Sequence, residues 1–302
     1  MKDVRIRFKK SMIRFWKSFK SGVVRLYKTL TYNTKTKVGL AILLLFVIGA
    51  FIGPVIFPYS PLTNEVNKFA PPSAEHWLGT DNLGRDLFRQ MLYGSRDVLV
   101  IALLTSVFTI IIAVTIGISS GFIGGIYDRI IQTITNLFLT IPSFPIMIIM
   151  ASFFTIEEPV SFALVLSIWN WAGLSRAIRA QVISLKERDF IQICNVMGMR
   201  KSHIIFKELM PNISSYIFIN FILIMRNAIT ASVGIMMLGL AAFEPSNWGA
   251  ILLRAKDIGA LLIPEATLFW LTPIIAIALF QTGSILLASG LDETLNPRLR
   301  RN

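Results

Sequence analysis

Val98-Leu-Val-Ile-Ala-Leu-Leu-Thr-Ser-Val-Phe-Thr-Ile-Ile-Ile-Ala-Val-Thr-Ile-Gly-Ile-Ser-Ser-Gly-Phe-Ile123 is a run of 26 residues that contains no charged side chain. A helix of about 20 predominantly apolar residues crosses the hydrocarbon core of a bilayer, so this run is long enough to span a membrane. Five further apolar stretches occur at 38–57, 130–154, 160–175, 213–240 and 268–291. The sequence therefore predicts an all-α polytopic membrane protein with six transmembrane helices.

The charges in the connecting segments predict how these helices are oriented. The chain has 30 Lys and Arg against 17 Asp and Glu, and cytoplasmic segments of membrane proteins are enriched in Lys and Arg. Residues 1–37 contain twelve bases and one acid, whereas the short segment after the third stretch holds Glu157 and Glu158 without a base. Both termini are therefore predicted to be cytoplasmic. The net charge of +13 is attributed to this topology, and nucleic acid is not expected as a partner.

The same pattern divides the chain into segments. Apolar residues are threaded among the bases near the N-terminus, which favours equally an amphipathic helix on anionic lipid and a mobile basic leader. The predicted segments are a basic cytoplasmic N-terminal segment (1–37), the first transmembrane helix (38–58), an external loop with short helices (59–97), a five-helix core that includes a cytoplasmic loop at 184–212 (98–291), and a cytoplasmic tail (292–302).

The basic loop 184–212 contains a predicted short helix with two unlike faces. Four apolar residues recur at helical spacing on one face, and four polar residues lie opposite them. The apolar set is Phe190, Ile193, Cys194 and Met197, and the polar set is Arg188, Asp189, Gln192 and Asn195. Gly198 is predicted to end this helix, a second helix is predicted from about Ser202, and Pro211 marks where the chain re-enters the membrane. An apolar face in a basic loop indicates a docking surface for another protein.

Within the external loop, residues 76–96 are predicted to be ordered. Gly79 and Gly84 permit tight turns, and Asp81 can cap a following helix. Arg85, Asp86 and Arg89 are then expected to face water, a partner subunit or a docked protein. The apolar residues of this segment that recur at helical spacing are Leu83, Leu87, Met91 and Leu92.

One arginine lies at membrane depth. Arg226 is about fourteen residues into the fifth apolar stretch and is followed by Asn227 and Thr230. Because a charge exposed to lipid at this depth is costly, the guanidinium should meet water, protein or a carboxylate of another subunit. We predict that these three residues line a translocation pathway, with a structural ion pair as the alternative.

Several chemistries have no signature in this chain. There is no G-x-x-x-x-G-K-[ST] phosphate-binding loop and no catalytic motif, so ATP hydrolysis and other catalysis are not expected here. Cys194 is the single cysteine, and the two histidines, His76 and His203, are predicted to lie on opposite sides of the membrane, so no metal site is expected. A self-contained secondary transporter or channel remains the alternative from another class, although no internal repeat or second intramembrane charge supports it.

Several motifs together resemble one family, the C-type permease subunits of bacterial oligopeptide and dipeptide ABC importers, over nearly the whole chain. The motifs occur in the family's order: His76-Trp-Leu-Gly-Thr-Asp-Asn-Leu-Gly-Arg-Asp86, Leu92-Tyr-Gly-Ser-Arg96, Gly121-Phe-Ile-Gly-Gly-Ile-Tyr-Asp128, Ile141-Pro-Ser143 and Leu295-Asn-Pro-Arg-Leu-Arg300. The resemblance implies a type I ABC importer permease in the cell membrane. It also implies a homologous B-type permease, two cytoplasmic ATPases that hold ATP and Mg²⁺, and an external solute-binding protein as partners, with lipid around the helices.

The resemblance assigns loop 184–212 to the family's ATPase-coupling loop. Its Glu-Ala-Ala positions are occupied here by Gln192, Ile193 and Cys194, while Gly198 and Pro211-Asn212 match the family. The predicted coupling residues are Phe190, Ile191, Gln192, Ile193, Cys194, Met197 and Gly198. The segment Gly234-Ile-Met-Met-Leu-Gly-Leu240 departs from the family's pattern, and relatives of this type also import oligosaccharides or nickel, which remain alternatives to peptides.

Overall fold

The computed structural model describes residues 33–154, 156–241 and 243–295. Most of the predicted N-terminal segment and of the tail, including the Leu295–Arg300 motif beyond its first residue, lies outside the described residues. Within them the chain is helical, and the only β-type pairing is a bridge between Thr80 and Asp86. The α-helices are α1 (Thr34–Phe51), α2 (Gly53–Ile56), α3 (Leu87–Ile123), α4 (Gly125–Thr140), α5 (Ser143–Phe153), α6 (Pro159–Lys186), α7 (Asp189–Val196), α8 (Lys201–His203), α9 (Met210–Met237), α10 (Trp248–Asp257) and α11 (Thr267–Leu295).

Four helical stretches among the described residues are long and apolar enough to cross a membrane. They are Thr34–Phe51, Leu87–Ile123, Lys201–Met237 and Pro264–Thr294, and α4 with α5 makes a fifth if that pair crosses as one unit. The predicted fourth span lies in α6, which mixes its apolar residues with Asn170, Arg176 and Arg179. The protein is thus a multi-pass membrane protein, and its described residues contain four or five apolar spans by this measure, against the predicted six.

The second span begins earlier than predicted. Helix α3 starts at Leu87, eleven residues before 98, because the Asp86 carboxylate accepts a hydrogen bond from the Arg89 N–H at 2.8 Å and caps the helix. At 1.5 Å per residue, its 37 residues measure about 55 Å, well beyond the roughly 30 Å of a hydrocarbon core. The first turns of α3 therefore belong to the predicted external loop.

The third predicted span is sharply bent. Helices α4 and α5 meet at 88°, and the break falls at Ile141-Pro142. Proline has no N–H and disfavours the helical conformation in the residue before it, and Ile141 is accordingly extended, with ψ at 127°. The apolar composition of 130–154 predicted the span but not its break.

Pro211, in contrast, does not interrupt a helix. The predicted helix from about Ser202 is present, and α8, a π-helical turn at Ile204–Leu209 and α9 follow one another without a break. Re-entry into the membrane at Pro211 stays a prediction. The Met210 N–H bonds to the Ile205 carbonyl, five residues back, and this wider turn leads into the proline at the start of α9. The loop after α7 is therefore the beginning of a helix that runs from Lys201 to Met237.

Helix α3 is at the centre of the packing and contacts α6, α9 and α1, while α1 lies along α11. Glycines allow the close approaches: a Cβ at Gly117 of α3 would lie 2.7 Å from the Ser175 carbonyl oxygen of α6. At Gly39 of α1 a Cβ would lie 2.4 Å from the Leu287 nitrogen of α11. The beginning of α1 thereby meets the end of α11, where Asn33 donates to the Gly290 carbonyl at 3.1 Å and Lys35 pairs with Glu293.

Opposite ends of the bundle gather different connecting segments. At one end, Asp97, Glu157 and Glu244 line a polar cavity of about 460 Å³. They come from the beginning of α3, the α5–α6 connection and the α9–α10 connection, all predicted to be external. At the other end of α3, the Lys186 ammonium of α6 donates to the Phe122 carbonyl at 2.8 Å. The structure thus places the predicted external segments together, at the end of α3 away from Phe122.

Candidate functional site

Helix α7 presents an exposed row of apolar side chains. Phe190, Ile193 and Met197 are 38%, 57% and 67% exposed, and Val196 beside them is 89% exposed. The four predicted polar residues, Arg188, Asp189, Gln192 and Asn195, are also exposed. The helix therefore shows solvent an apolar row and a polar face at once, which is the arrangement expected of a docking element.

A second apolar row on α7 points into the protein. Ile191 is fully buried and Cys194 is 8% exposed, so the prediction that Cys194 shares the docking face is wrong, and Ile191 is likewise hidden. Both belong to a cluster that includes Ile178 and Val182 of α6 and Ile213 of α9. These two residues anchor α7 to the transmembrane helices.

Gly198 ends the helix as predicted. Its φ of +66° is in the left-handed region, the Gly198 N–H bonds to the Asn195 carbonyl, and the Met199 N–H bonds to the Cys194 carbonyl, each at 3.0 Å. A turn of this kind fixes the direction in which the chain leaves α7. The turn at Gly198 thus fixes the orientation of α7, with its exposed row, relative to the long helix that follows.

The Arg226 side chain lies in a polar patch on the surface of the chain. Its Nη2 donates to Asn227 Oδ1 at 2.9 Å, and Gln281 of α11 donates to the hydroxyl of Thr230. Among the described residues no carboxylate pairs with Arg226. The structure brings the three predicted pathway residues together, although Asn227 alone is a weak partner for a full charge. Gln281, which the sequence analysis did not single out, joins them from another helix.

The external segment is organised by a buried carboxylate. Asp81 is fully buried, and its Oδ2 accepts from Arg85 Nη2 at 2.6 Å and from Gln90 Nε2 at 3.0 Å. Its Oδ1 accepts from the backbone N–H groups of Leu83 and Arg85, both at 2.9 Å. Arg254 of α10 approaches the same carboxylate at 3.8 Å and donates to Gln90 Oε1 at 3.1 Å. Asp81 therefore joins the loop, α3 and α10.

Two predictions for this segment are wrong. Asp81 does not cap the following helix; Asp86 does, and it also contacts His76 Nδ1 at 2.8 Å. Arg85 and Asp86 do not face solvent: burial against Asp81 leaves Arg85 6% exposed, and the Asp86 side chain is 9% exposed, whereas that of Arg89 is 39% exposed. The predicted turns at Gly79 and Gly84 are present, with φ of +74° and +73°.

Burial in and beside this cluster shifts the pKa of two ionisable groups. Burial, followed by repulsion from Arg85, lowers the pKa of Arg254 to about 10, although Asp81 opposes the shift. Arg254 therefore remains protonated at neutral pH. Burial raises the pKa of the Tyr59 hydroxyl. The cluster combines two arginines and one aspartate, so the Asp81 carboxylate is the charge on which both cations depend.

Comparison with known proteins identifies the family. Residues 113–301 match the family described as the binding-protein-dependent transport system inner membrane component, and residues 29–72 match the N-terminal transmembrane domain of oligopeptide transport permease C. The chain belongs to this transport permease family. It is 30% identical to the oligopeptide transport system permease protein OppC of Bacillus subtilis over 89% of this chain and 87% of that protein. It is 31% identical to the dipeptide transport system permease protein DppC of Alkalihalophilus pseudofirmus over 91% of this chain and 89% of that protein.

In this permease, sequence reasoning missed the residues that complete the two polar sites. Gln90 and Arg254 complete the Asp81 cluster, and Gln281 completes the Arg226 patch. A signal was present for Gln281, since an amide within an otherwise apolar span is unusual. The sequence contained no such signal for Arg254, because its role depends on contact with Gln90, which lies 164 residues earlier in the chain.

The described part of the permease shows no group of three or more His, Cys, Asp or Glu residues able to hold a metal ion. Two surface features of the described residues bear on function, the apolar row of α7 and the polar patch around Arg226. The apolar row is suited to lying in a groove of another protein. The polar patch is suited to contacting a polar solute or a polar group of a partner.

Proposed function

We propose that the chain is one of two homologous membrane subunits of an ATP-driven importer for oligopeptides or dipeptides. The proposal takes the substrate class from the names of the two relatives, which match over most of their length. In this arrangement the permease carries no catalytic residues. ATP and Mg²⁺ are bound by two cytoplasmic ATPase subunits, and an external solute-binding protein delivers the peptide.

The observation that carries the coupling role is the exposed apolar row on an anchored helix. Phe190, Ile193 and Met197 offer a docking face, while Ile191 and Cys194 tie α7 to the clustered ends of α6 and α9. When the ATPases close, a groove that holds this row moves α7, and the shared cluster moves the spans. Helix α7 would thus transmit the movement of the ATPases to the transmembrane helices.

The proposed topology has six spans, with both termini cytoplasmic and the protein in the cell membrane. Helix α6 serves as the fourth span and the α4–α5 pair as the third. This topology is supported by the hydrogen bond from Asn33 to the Gly290 carbonyl, which brings the two described ends of the chain together. It is also supported by the gathering of Asp97, Glu157 and Glu244 around one cavity. We propose the same five segments, with the same boundaries, as the sequence predicts. The one change is that the external segment includes the first turns of α3.

The polar patch of Arg226, Asn227, Thr230 and Gln281 is proposed to line the translocation path. Its position on α9 and α11, partly exposed and without a carboxylate partner among the described residues, supports this role. A guanidinium with one amide partner retains donors for the carboxylate or carbonyl groups of a passing peptide. The contact is weak enough for the peptide to leave.

Arg226→Met is expected to reduce peptide uptake by about ten- to a hundredfold, the equivalent of one charge-assisted hydrogen bond of roughly 1.5–3 kcal/mol. Assembly of the complex should be unchanged, because methionine has a similar reach. Uptake of a labelled peptide into proteoliposomes measures the effect, and Arg226→Lys, which keeps the charge, should retain part of the activity. If Arg226→Met does not assemble, and neutralising an acid in the companion subunit restores assembly, Arg226 is a structural ion-pair residue and has no pathway role.

The proposed function is tested by purification of the tagged full-length chain from its own membranes. The expected complex contains one homologous membrane subunit and two ATPase subunits, with stoichiometry determined by native mass spectrometry. In proteoliposomes, uptake of a labelled peptide should require ATP and the binding protein. A chain that transports alone along an ion gradient would instead be a secondary transporter. A complex that imports an oligosaccharide or nickel but no peptide would overturn the substrate class.

A further inference from the structure

An apolar cavity of about 310 Å³ opens between α1, α3, α10 and α11. Its walls include Phe46 and Gly49 of α1, Met91 and Leu92 of α3, and Trp248 of α10. The volume is about twice that of an apolar cavity of roughly 150 Å³ that stays dry and binds benzene. Pro273, which lacks an N–H, lies within α11 beside Thr272 of the cavity wall.

The polar groups in the wall are already satisfied by the protein. Ser95 Oγ donates to the Leu92 carbonyl at 2.6 Å, and Thr272 Oγ1 donates to the Leu268 carbonyl at 2.6 Å. Trp248 Nε1 donates to the Met91 carbonyl at 3.1 Å. A water molecule inside would find few of the two to four partners that it needs. The cavity is therefore suited to an apolar occupant.

The rim of the cavity faces the surroundings of the transmembrane helices. Leu45 of α1 is 69% exposed, and Ile275 and Leu279 of α11 are about half exposed. All three lie on helices long and apolar enough to cross a membrane. A lipid chain beside the protein can thus enter the cavity sideways, without crossing a polar layer.

Aromatic residues and one arginine surround the loop-side end of the cavity. Phe88, which lines the cavity, packs against Trp77 and Phe57 with ring centroids 4.9 and 5.5 Å apart. Trp77 is more than half exposed, as is common for tryptophan at the membrane–water interface. Arg89 donates to the Pro58 carbonyl at 3.3 Å beside this aromatic group, its Nε lies 3.9 Å from Asp86 Oδ2, and its side chain is 39% exposed, so part of the guanidinium remains open to a further anion. A phosphate near this end would meet a guanidinium.

We propose that this cavity binds an acyl chain of a membrane phospholipid, with the headgroup next to Trp77 and Arg89. The wall chemistry selects a hydrocarbon chain, the rim admits it from the bilayer, and the arginine favours a phosphate-bearing lipid over an acylated protein. Under the proposed topology the headgroup lies in the outer leaflet, and this placement rests on that topology, whereas the site itself does not. A bound chain would fill the gap between α1 and the core helices.

The test uses the whole complex in phosphatidylcholine vesicles that contain a trace of phosphatidylcholine with a diazirine on one acyl chain. After illumination, labelled residues are located by peptide mass spectrometry. Met91 and Leu92, which line the cavity, are expected to be labelled several-fold more than Leu103, an exposed apolar residue of the same helix. This comparison within the unaltered protein does not depend on any variant folding.

A cavity-filling substitution provides the second arm. Ala276→Phe places a ring in the cavity, and Ala278→Phe places the same ring on an exposed position two residues later on α11. Ala276→Phe is expected to lower labelling of Leu92 about tenfold, the occupancy change that corresponds to two fewer buried methylenes, whereas Ala278→Phe leaves it unchanged. Native mass spectrometry should show one fewer retained phospholipid for Ala276→Phe alone.

Three results would overturn the proposal. One is equal labelling of Leu92 and Leu103. Another is labelling of Leu92 that a correctly assembled Ala276→Phe complex leaves unchanged. The third is labelling by a diazirine-bearing diacylated lipopeptide but not by the phospholipid, which would assign the cavity to a protein-linked acyl chain. None of these results bears on peptide uptake, so the proposed function stands or fails separately.

Discussion

Asp81→Ala is expected to destabilise the permease by about 3–5 kcal/mol, the cost of removing one partner from a buried ion pair. Arg85, only 6% exposed, and Arg254, whose side chain is 22% exposed, would share one site with no carboxylate between them. The backbone N–H groups of Leu83 and Arg85 would also lose their acceptor. The measurement is the shift of thermal unfolding for the purified complex in one detergent or nanodisc.

The control for this prediction is Glu75→Ala, which removes an exposed acid from the same segment and should leave stability nearly unchanged. The double variant Asp81→Ala with Arg85→Met should recover part of the loss, because it removes one of the uncompensated charges. Equal stability of Asp81→Ala and Glu75→Ala would show that the cluster does not hold the external segment in place.

This carboxylate illustrates how far sequence reasoning reached in the external segment. The two glycines and the apolar spacing predicted an ordered segment, because turns and helices depend on neighbours in the chain. Whether Asp81 or Asp86 caps α3 depends on which carboxylate is free to turn towards the first N–H groups. Asp81 is held by its near neighbours Leu83, Arg85 and Gln90 and also by Arg254, and only the last contact is long-range. Local patterns do not contain that contact.

Pro142 and Pro211 also show that local sequence does not determine how the chain runs at a proline. The apolar stretches predicted where the chain is membrane-embedded, because that property is a sum over about 20 residues. Pro142 breaks its stretch at 88°, whereas Pro211 follows a π-helical turn within a continuous helix. Each proline removes one donor, but the packing of the surrounding helices decides whether the chain bends or widens its turn.

On α7, both the helix and its end at Gly198 were predictable from spacing and from glycine's conformational range. The division of its apolar residues into an outer and an inner row was not. Cys194 and Ile193 are adjacent and similar in polarity, and helical period alone does not say which one faces the protein. The burial of Cys194 also means that a crosslink to the ATPase requires a thiol elsewhere on the helix, for example at Val196.

Ile193→Asp is expected to abolish coupling while leaving the permease folded. Ile193 is the middle residue of the exposed row and 57% exposed, so the substitution costs little in the isolated chain. In a docked groove it would forfeit the burial of an isoleucine, roughly 1.5–3 kcal/mol, and would add an unpaired carboxylate whose desolvation costs more. Peptide uptake and peptide-stimulated ATP hydrolysis in proteoliposomes should therefore both fall by more than about a hundredfold.

The matched control is Asn195→Asp, which introduces the same charge two residues later, on the polar face of α7, where Asn195 is exposed. It should retain most of the uptake, because Asn195 does not belong to the exposed apolar row. The two variants place the new carboxylate on different faces of α7, so a difference between them reports the docking surface and not the charge of the loop. If Ile193→Asp assembles with the ATPases and transports as well as Asn195→Asp, the exposed row is not the coupling surface, and the coupling role assigned to α7 must be withdrawn.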